Sequence, residues 1–360
     1  MANPLENFPI PHEKLLETPE ILKQLIRSHR FLAELKGMTR TIPNGELLIS
    51  ILGMQEAKDS SAIENIVTTQ DELFRSEVLE RPKTDLPAKE VGNCRTALRE
   101  SCRNIRQSGL IRFNDLLATQ STIEPNKPGI RKLPGTVIGN AGTGKVVYTP
   151  PQHPDEINQR LDNLIEYIND ATVSRLDPLV KMALIHHQFE SIHPFYDGNG
   201  RTGRVLNMVY LIQQGLLDLP ILSFSRYILR TRSEYYRRLQ SVRDENDWAG
   251  WTLYMVKGVE IAARETMEFV RQIEDLILQT KQRMRTELPK IYSRELLNNL
   301  FCHPYTKIQL VTRQVGVTRI TATRYLGLLV QHGFVTQHKV GRTGCFVNEP
   351  LVRLILQHTQ

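Results

Sequence analysis

The sequence predicts a mainly α-helical protein with one β-hairpin and a small C-terminal module that combines helices with a second hairpin. Apolar residues recur at helical spacing through most of the chain, for example over residues 88–105 and 179–191. Strand-like runs are too few for a parallel sheet, so the all-α class with a hairpin fits best. With 360 residues, of which 40% are hydrophobic, the chain is long enough for two or three domains.

Residues 1–105 form the first predicted region. It begins with a proline-bearing arm, and a polar, proline-containing break precedes its last helix. The helices that we predict in this region cover residues 16–35, 47–56, 68–79 and 88–105. We therefore expect a helical layer ahead of the central region, residues 106–260.

The most informative segment of the central region is the loop from His193 to Arg204, with the sequence HPFYDGNGRTGR. A helical run lies on each side of it. Gly198 and Gly200 permit backbone dihedral angles closed to other residues, so successive N–H groups can converge on an anion where the second helix begins. The pattern predicts a helix–loop–helix that binds phosphate groups.

Four side chains of this loop suit the transfer of a phosphate-containing group. Arg201 and Arg204 lie three residues apart near the first helical turn, where a guanidinium can bind polyphosphate oxygens in bidentate fashion. Asp197 is the only acid in the loop, and Mg²⁺ is commonly held by one or two carboxylates plus substrate phosphates. His193 titrates near neutrality and could accept a proton from an attacking hydroxyl.

The loop resembles the motif of the Fic family, HxFx(D/E)GNGRxxR, and matches it at every fixed position. The resemblance implies a Fic-type helical core that binds ATP with Mg²⁺ and transfers AMP to a Ser, Thr or Tyr hydroxyl of a target protein or of the enzyme itself. It makes His193 the general base, Asp197 the metal ligand and Asn199 the residue that orients the α-phosphate. Arg201 would contact the α- and β-phosphates and Arg204 the γ-phosphate. The other loop residues that it assigns to the nucleotide are Gly198, Gly200, Thr202 and Gly203.

A second resemblance lies earlier in the chain, where SSAIEN, residues 60–65, matches the inhibitory motif of the family, [S/T]xxxE[G/N]. The family carries this motif on a helix, and Ser60 and Glu64 are four residues apart, which would place both on one face of such a helix; Asn65 completes the motif. In the family this glutamate pairs with the second arginine of the loop, here Arg204, and displaces the γ-phosphate. The resemblance therefore implies that Glu64 inhibits this chain and that the chain has the N-terminal type of inhibitory helix.

Residues 129–151 predict the first β-hairpin, because short β-branched runs flank a glycine-rich connection. In Fic proteins such a hairpin is a flap that aligns the target segment by strand addition. The resemblance places three flap residues beside the nucleotide: Val137, Ile138 and Gly139. Tyr235 and Tyr236 lie on a segment that resembles the helix closing the nucleotide site. They are either contacts of the adenine and ribose or packing tyrosines.

A linker helix over residues 261–288 leads to the C-terminal module, residues 289–360. The module resembles a winged helix–turn–helix, since Thr318 can cap a helix over 319–331 and residues 334–347 predict a two-stranded wing. Such a helix can enter the major groove of DNA, but winged helices also dock proteins, and both interpretations stay open. The side chains predicted to contact DNA are Arg319, Arg324, Lys339 and Arg342.

Composition leaves the partners of the chain open. The net charge of +7 suits nucleic acid, ATP or simple solubility alike. We expect no membrane segment and a cytoplasmic location, because neither a signal peptide nor an apolar run of about 18 residues is present. The leading hypothesis is a self-inhibited protein adenylyltransferase, with a homodimer expected from the resemblance. The alternatives are a deAMPylase that uses the same site and a nucleotide-sensing, DNA-binding transcription regulator.

Overall fold

The computed structural model describes residues 6–10, 16–41, 45–78, 86–139, 144–340 and 343–359. Its elements are mainly helical, as predicted. The N-terminal region contains α1 (Pro19–Thr41), α2 (Gly45–Ile63), α3 (Gln70–Val78) and α4 (Leu86–Ser108). The central helices are α5 (Phe113–Ile123), α6 (Pro154–Asn169), α7 (Pro178–Ile192), α8 (Asn199–Gln213), α9 (Phe224–Arg230), α10 (Arg232–Glu245) and α11 (Trp248–Glu287).

Helices α7 and α8 pack against each other at the centre of the molecule. Every residue of α7 from Leu179 to Ile192 is buried, so this helix has no polar, solvent-facing side. Its first turn is capped by Asp177, whose Oδ1 accepts a hydrogen bond from the backbone N of Leu179 at 2.8 Å. The pair therefore offers a rigid support for the loop that joins the two helices.

Helix α2 extends beyond the predicted limits of 47–56 because the polar residues that follow are buried in specific contacts. Glu56 accepts hydrogen bonds from the backbone N and the hydroxyl of Ser225 at the start of α9. Asp59 forms an ion pair of 3.3 Å with Arg226 of the same helix. Burial raises the pKa of Glu56 to about 7, although the bonds from Ser225 act in the opposite direction.

The predicted flap is present as a short antiparallel pair, β1 (Ile138–Gly139) and β2 (Val146–Tyr148). Residues 140–143 of its connection lie outside the described residues. The base of the flap is joined to the loop after α7, because Ile130 forms a β-bridge with Phe195. The flap is therefore attached directly beside His193.

The long helix α11 runs for 40 residues, and the predicted division between core and linker at 260/261 falls inside it. The C-terminal elements follow after Leu288. They are α12 (Arg294–Cys302), β3 (Tyr305–Thr306), α13 (Ile308–Val315), α14 (Arg319–Gln331), β4 (Thr336–Val340), β5 (Thr343–Val347) and α15 (Glu349–Thr359). Thr318 caps α14 as predicted, its hydroxyl accepting a hydrogen bond from the backbone N of Thr321. The predicted wing pairs in the order β3-β5-β4, with a third strand and a final helix that the sequence pattern did not predict.

None of the helices in the described ranges combines the length and the apolar composition that a membrane span requires. The cytoplasmic location and the homodimer stay predictions.

Candidate active site

The loop between α7 and α8 is shaped by three backbone features. Helix α7 ends because His193 adopts a left-handed conformation, with φ 46° and ψ 59°, and a proline follows it. Gly198 has φ 80° and forms the N-cap of α8. A Cβ atom at this position would lie 3.2 Å from Cγ of Glu124, so both the dihedral angle and the space favour glycine. The backbone N–H groups of the first turn of α8 are thereby presented at the loop.

Two polar side chains hold the loop in this shape. The amide group of Asn199 accepts a hydrogen bond from Phe195 N at 2.9 Å and donates one to Phe195 O at 2.8 Å. Gln120 of α5 donates to the backbone oxygen of Asp197 at 3.1 Å. The structure thus places the amide of Asn199 inside the loop, and its predicted contact with the α-phosphate stays a prediction.

His193 lies at the junction of the loop and the flap. The guanidinium of Arg131, a buried flap residue, donates from Nε to the backbone oxygen of His193 at 2.9 Å. Burial, together with the nearby cations Arg131 and Arg243, lowers the pKa of His193 to about 4. The imidazole is therefore neutral near pH 7 and can accept a proton.

Arg201 is buried among three carboxylates. Its Nη2 lies 2.6 Å from Oε1 of Glu124 and 3.5 Å from Oδ1 of Asp197, and its Nη1 lies 3.3 Å from Oε2 of Glu90. Only 2% of the Arg201 side chain is exposed. Sequence reasoning missed Glu90 and Glu124, because they come from α4 and from the end of α5, far away in the chain, and lie in no motif.

Arg204 contacts the serine and the glutamate of the predicted inhibitory motif. Its Nε donates to Oγ of Ser60 at 2.8 Å, and its Nη2 donates to the backbone oxygen of Ser60 at 2.9 Å and to Oε1 of Glu64 at 2.8 Å. Burial disfavours the charge on the guanidinium, but the carboxylate of Glu64 more than compensates and raises the pKa of Arg204. Ser60 belongs to α2, whereas Glu64 lies in the turn directly after the helix, followed by Asn65 with φ 64°.

Gly200 and Gly203 allow acidic side chains to approach α8 closely. A Cβ atom on Gly200 would clash with Oε1 of Glu64, and one on Gly203 would lie 2.7 Å from Oε1 of Glu190. Glu190, on α7, is a buried residue that sequence reasoning missed, and burial raises the pKa of its carboxyl group to about 7. The neighbouring Thr202 is buried, and its backbone N donates to Gly198 O at 2.9 Å.

The two tyrosines of α10 lie in different environments. Tyr235 is buried, and its hydroxyl lies 2.9 Å from Nε2 of His186, whose other ring nitrogen lies 3.1 Å from Asn207 Nδ2. The side chain of Tyr236 is 43% exposed. Tyr235 thus packs in the core behind the site, and Tyr236 is the ring that solvent reaches. Their predicted contacts with the nucleotide stay predictions.

The flap presents apolar side chains to solvent next to the loop. Val137, directly before β1, is 51% exposed, and Val146, the first residue of β2, is 58% exposed, while Ile138 and Gly139 form β1 itself. The hydroxyl of Tyr196, a loop residue, accepts hydrogen bonds from the backbone N of Lys132 at 2.9 Å and of Leu133 at 3.2 Å. The hydroxyl therefore fixes the flap backbone to the loop, a contact that sequence reasoning missed.

Asp197, the predicted metal ligand, has a side chain that is 47% exposed. Its Oδ1 accepts a hydrogen bond from Gly198 N at 2.7 Å, and its Oδ2 lies 3.8 Å from Nζ of Lys127. Over the part of the chain that the structure describes, no three acidic, histidine or cysteine side chains converge on a metal position. A metal at Asp197 would therefore take its other ligands from substrate and water.

Of the predicted DNA contacts, Arg319 and Arg324 are exposed on α14. The backbone of Lys339 lies in β4, but its side chain, like the whole of Arg342, falls outside the described residues.

Three family models match the chain. The Fic/DOC family N-terminal model matches residues 22–103, the Fic/DOC family model matches 105–211, and the model described as protein adenylyltransferase SoFic-like, C-terminal domain, matches 276–351. The second match contains the loop from His193 to Arg204 and the first contains the inhibitory motif. The chain belongs to the Fic/DOC family.

Curated relatives share part of the chain. Protein adenylyltransferase fic-1 from Caenorhabditis elegans is 27% identical over 195 residues, which cover 51% of this chain and 37% of the relative. Protein adenylyltransferase Fic from Drosophila willistoni is 27% identical over 150 residues, which cover 41% of this chain and 28% of the relative. The chain spans about a third of the length of these relatives.

Solved structures show the same fold. A Fic family protein from Desulfovibrio desulfuricans G20 aligns with a TM-score of 0.59 and 18% identity, over 92% of this chain and 96% of that one. Fic-1 from C. elegans, residues 134–508, aligns with a TM-score of 0.54 and 20% identity, over 73% of this chain and 79% of that one.

Proposed function

We propose that this protein is a protein adenylyltransferase that transfers AMP from ATP to a hydroxyl group of a target protein or of itself. The observation that carries the proposal is the loop between α7 and α8, where a neutral His193, the start of a helix and two buried arginines meet. The relatives that are named protein adenylyltransferases support the same activity.

In the proposed reaction the acceptor oxygen attacks the α-phosphorus of ATP, and the bond to the pyrophosphate leaving group breaks. The proton of the hydroxyl passes to the imidazole of His193, whose lowered pKa of about 4 keeps it unprotonated near pH 7. Arg201, Arg204 and the backbone N–H groups at the start of α8 neutralise the charge on the phosphates. Positioning and charge neutralisation thus supply most of the rate.

The residues around Arg201 fit a bound Mg²⁺. Glu90, Glu124 and Asp197 place three carboxylates around one guanidinium, so the surroundings carry more negative than positive charge before a triphosphate arrives. Asp197, the most exposed of the three, is the residue that would hold the ion. When bound, Mg²⁺ would neutralise phosphate charge and relieve this repulsion.

We further propose that Glu64 inhibits the reaction by occupying Arg204. The guanidinium is buried and already donates hydrogen bonds to the carboxylate of Glu64 and to both oxygens of Ser60. A γ-phosphate that used Arg204 would have to replace Glu64, because both anions need the same donors. Inhibition is then a competition between two anions for one cation.

The flap supports a protein as the acceptor. Val137 and Val146 are exposed at a short strand pair whose base is fixed beside His193. An extended target segment can add to such a pair through its main chain, with its side chains against the valines.

The decisive experiment incubates the Glu64→Gly variant with α-labelled ATP and Mg²⁺. We expect more label on protein than with the wild type, and none when His193→Ala is added to the same background. Asn65→Gly is the matched control, since residue 65 already has φ 64° and the carboxylate of Glu64 is retained. The control should stay inhibited. Absence of label from every protein in the Glu64→Gly reaction would contradict the proposal.

We also propose that the C-terminal unit is a winged helix that binds DNA. The proposal is supported by Arg319 and Arg324, exposed on a capped helix that follows a tight turn and precedes a β-hairpin. Duplex binding should weaken steeply with salt and be lost in Arg319→Ala or Arg324→Ala, but not in Arg353→Ala, an exposed arginine of α15. A binding selection that returns no preferred duplex would remove this proposal.

A further inference from the structure

A cavity lies away from the loop, between the N-terminal helices and the C-terminal unit. Its volume is about 370 Å³, within the range that holds small ligands. The cavity is bounded by α2, α4, the end of α12 and α13. Its lining residues are Glu46, Ile49, Ser50, Gly53, Arg95, Leu98, Arg99, Pro220, Cys302, His303 and Gln314.

Basic groups dominate the polar part of this lining. Arg95 and Arg99 come from one face of α4, and His303 comes from the end of α12. Among the described lining residues Glu46 is the only acid, and its carboxylate forms an exposed contact of 3.5 Å with Arg99. The cavity therefore holds more cationic than anionic groups.

Repulsion between the basic groups also lowers the pKa of two of them. Burial and the charge of Arg99 lower the pKa of Arg95 to about 10, and burial together with Arg95 lowers the pKa of His303. A guanidinium whose charge is disfavoured by its surroundings gains from a nearby anion. Two arginines four residues apart on a helix present donors that match a phosphate group.

Part of the remaining lining is apolar, beside the polar residues Ser50 and Gln314. Ile49 of α2, Leu98 of α4 and Pro220 line the same space. Converging polar groups beside apolar side chains are a combination that small-molecule pockets use. The ligand that fits combines one phosphate with a compact organic body.

We propose that this cavity binds a small phosphate monoester, with its phosphate on Arg95 and Arg99 and its organic body against Ile49 and Leu98. The ligand would bridge the two parts of the chain at a point where they already touch. Oγ of Ser50 accepts a hydrogen bond from Arg95 at 2.9 Å and donates one to the backbone oxygen of Cys302 at 3.1 Å.

The test is calorimetric titration of the full chain, without ATP, using inorganic phosphate, ribose 5-phosphate and uridine 5′-monophosphate as probes. Because no AMP transfer is involved, the result does not depend on the proposed function. We expect saturable binding of at least one ester, tighter than that of inorganic phosphate, since only the esters bring a body to the apolar walls.

Two variants and a control locate the bound ester. Arg95→Met keeps an apolar stem and should weaken binding about tenfold or more, the usual effect of losing a hydrogen bond to a charged group. Arg99→Gln, at an exposed position that the fold tolerates, should weaken it about threefold or more. Arg103→Gln, also exposed on α4 but outside the lining, should leave binding unchanged.

Two outcomes would overturn the proposal. One is the absence of saturable binding of either ester to the wild type. The other is equal affinity in the wild type, Arg99→Gln and Arg103→Gln, which would locate the phosphate elsewhere, for instance at the loop between α7 and α8. If Arg95→Met fails to fold, as judged by its thermal transition, Arg99→Gln still decides between these outcomes.

Discussion

Replacement of Glu64 by glutamine separates charge from shape in the contact with Arg204. The glutamine fills the same space and can still accept one hydrogen bond, but it no longer offers a negative charge to the buried guanidinium. Hydrogen bonds to charged groups contribute about 1.5–3 kcal/mol. Because the Glu64 side chain is 34% exposed, solvent screens part of this interaction, and we expect a loss of about 1–2 kcal/mol.

The interaction free energy that Glu64→Gln removes from the contact with Arg204 should appear as an increase in affinity for ATP. In the proposed competition the γ-phosphate must displace Glu64 from Arg204, so the free energy that this pair contributes opposes productive binding of ATP. A change of about 1–2 kcal/mol corresponds to roughly 5- to 30-fold tighter binding of ATP with Mg²⁺. Without nucleotide the variant should unfold at lower temperature than the wild type, and with saturating ATP the difference should shrink or reverse.

Titration calorimetry with ATP and Mg²⁺, paired with thermal unfolding in the presence and absence of nucleotide, measures both effects. Ser60→Ala is the matched comparison, because it removes the acceptor of Arg204 Nε but leaves the carboxylate in place. It should cost stability with much less gain in ATP affinity. An unchanged or weaker ATP affinity in Glu64→Gln would refute the competition between Glu64 and the γ-phosphate.

Three further predictions concern buried titratable groups. Because the pKa of His193 is lowered to about 4, this imidazole should stay mostly neutral from pH 7 to 5. The titration of His193 should therefore not reduce the rate of AMP transfer by Glu64→Gly over this range, and a pH–rate profile checks this. The pKa of Glu56 is raised to about 7 from 4.5. Protonation of Glu56 therefore stabilises the fold, with the full effect below pH 4.5. This contribution is lost as the pH rises to 7. Glu56→Gln should remove pH dependence on the order of 3 kcal/mol in that window, measured by denaturant unfolding. Arg226→Met leaves Asp59 buried without its partner and should cost about 3–5 kcal/mol at pH 8, with a smaller loss at pH 5 because burial raises the pKa of Asp59.

The central loop could be predicted from the sequence because its special residues are contiguous. Gly198 must supply a positive φ and α8 must begin next to it, and both requirements are visible in a few letters. The partners of the loop could not be predicted in this way. Glu90, Glu124 and Arg131 reach it from helices and a flap far away in the chain, and nothing in their local pattern distinguishes them from solvated charges.

The full length of α2 could not be predicted from the sequence for a related reason. The segment from Gln55 to Ser61 carries several polar residues, and the sequence pattern reads as a helix that ends at Glu56. In the fold these polar groups face α9, α8 and α4, and Glu56 and Asp59 are satisfied by Ser225 and Arg226. Because polar residues occupy these buried positions, the apolar spacing that predicts a helix is missing from this part of α2.

The contacts of α2 also bear on how the proposed inhibition by Glu64 would be released. The helix is held at Glu56 and Asp59 by α9, and Arg226 of α9 donates in turn to the backbone oxygen of His358 in α15. Removing the whole helix would break these buried contacts together. Glu64, however, follows the last helical residue and is partly exposed, and helix ends open at much lower free energy than buried segments. In the proposed competition a triphosphate therefore needs to displace only the terminal turn, while Ser60 and the rest of α2 stay in place.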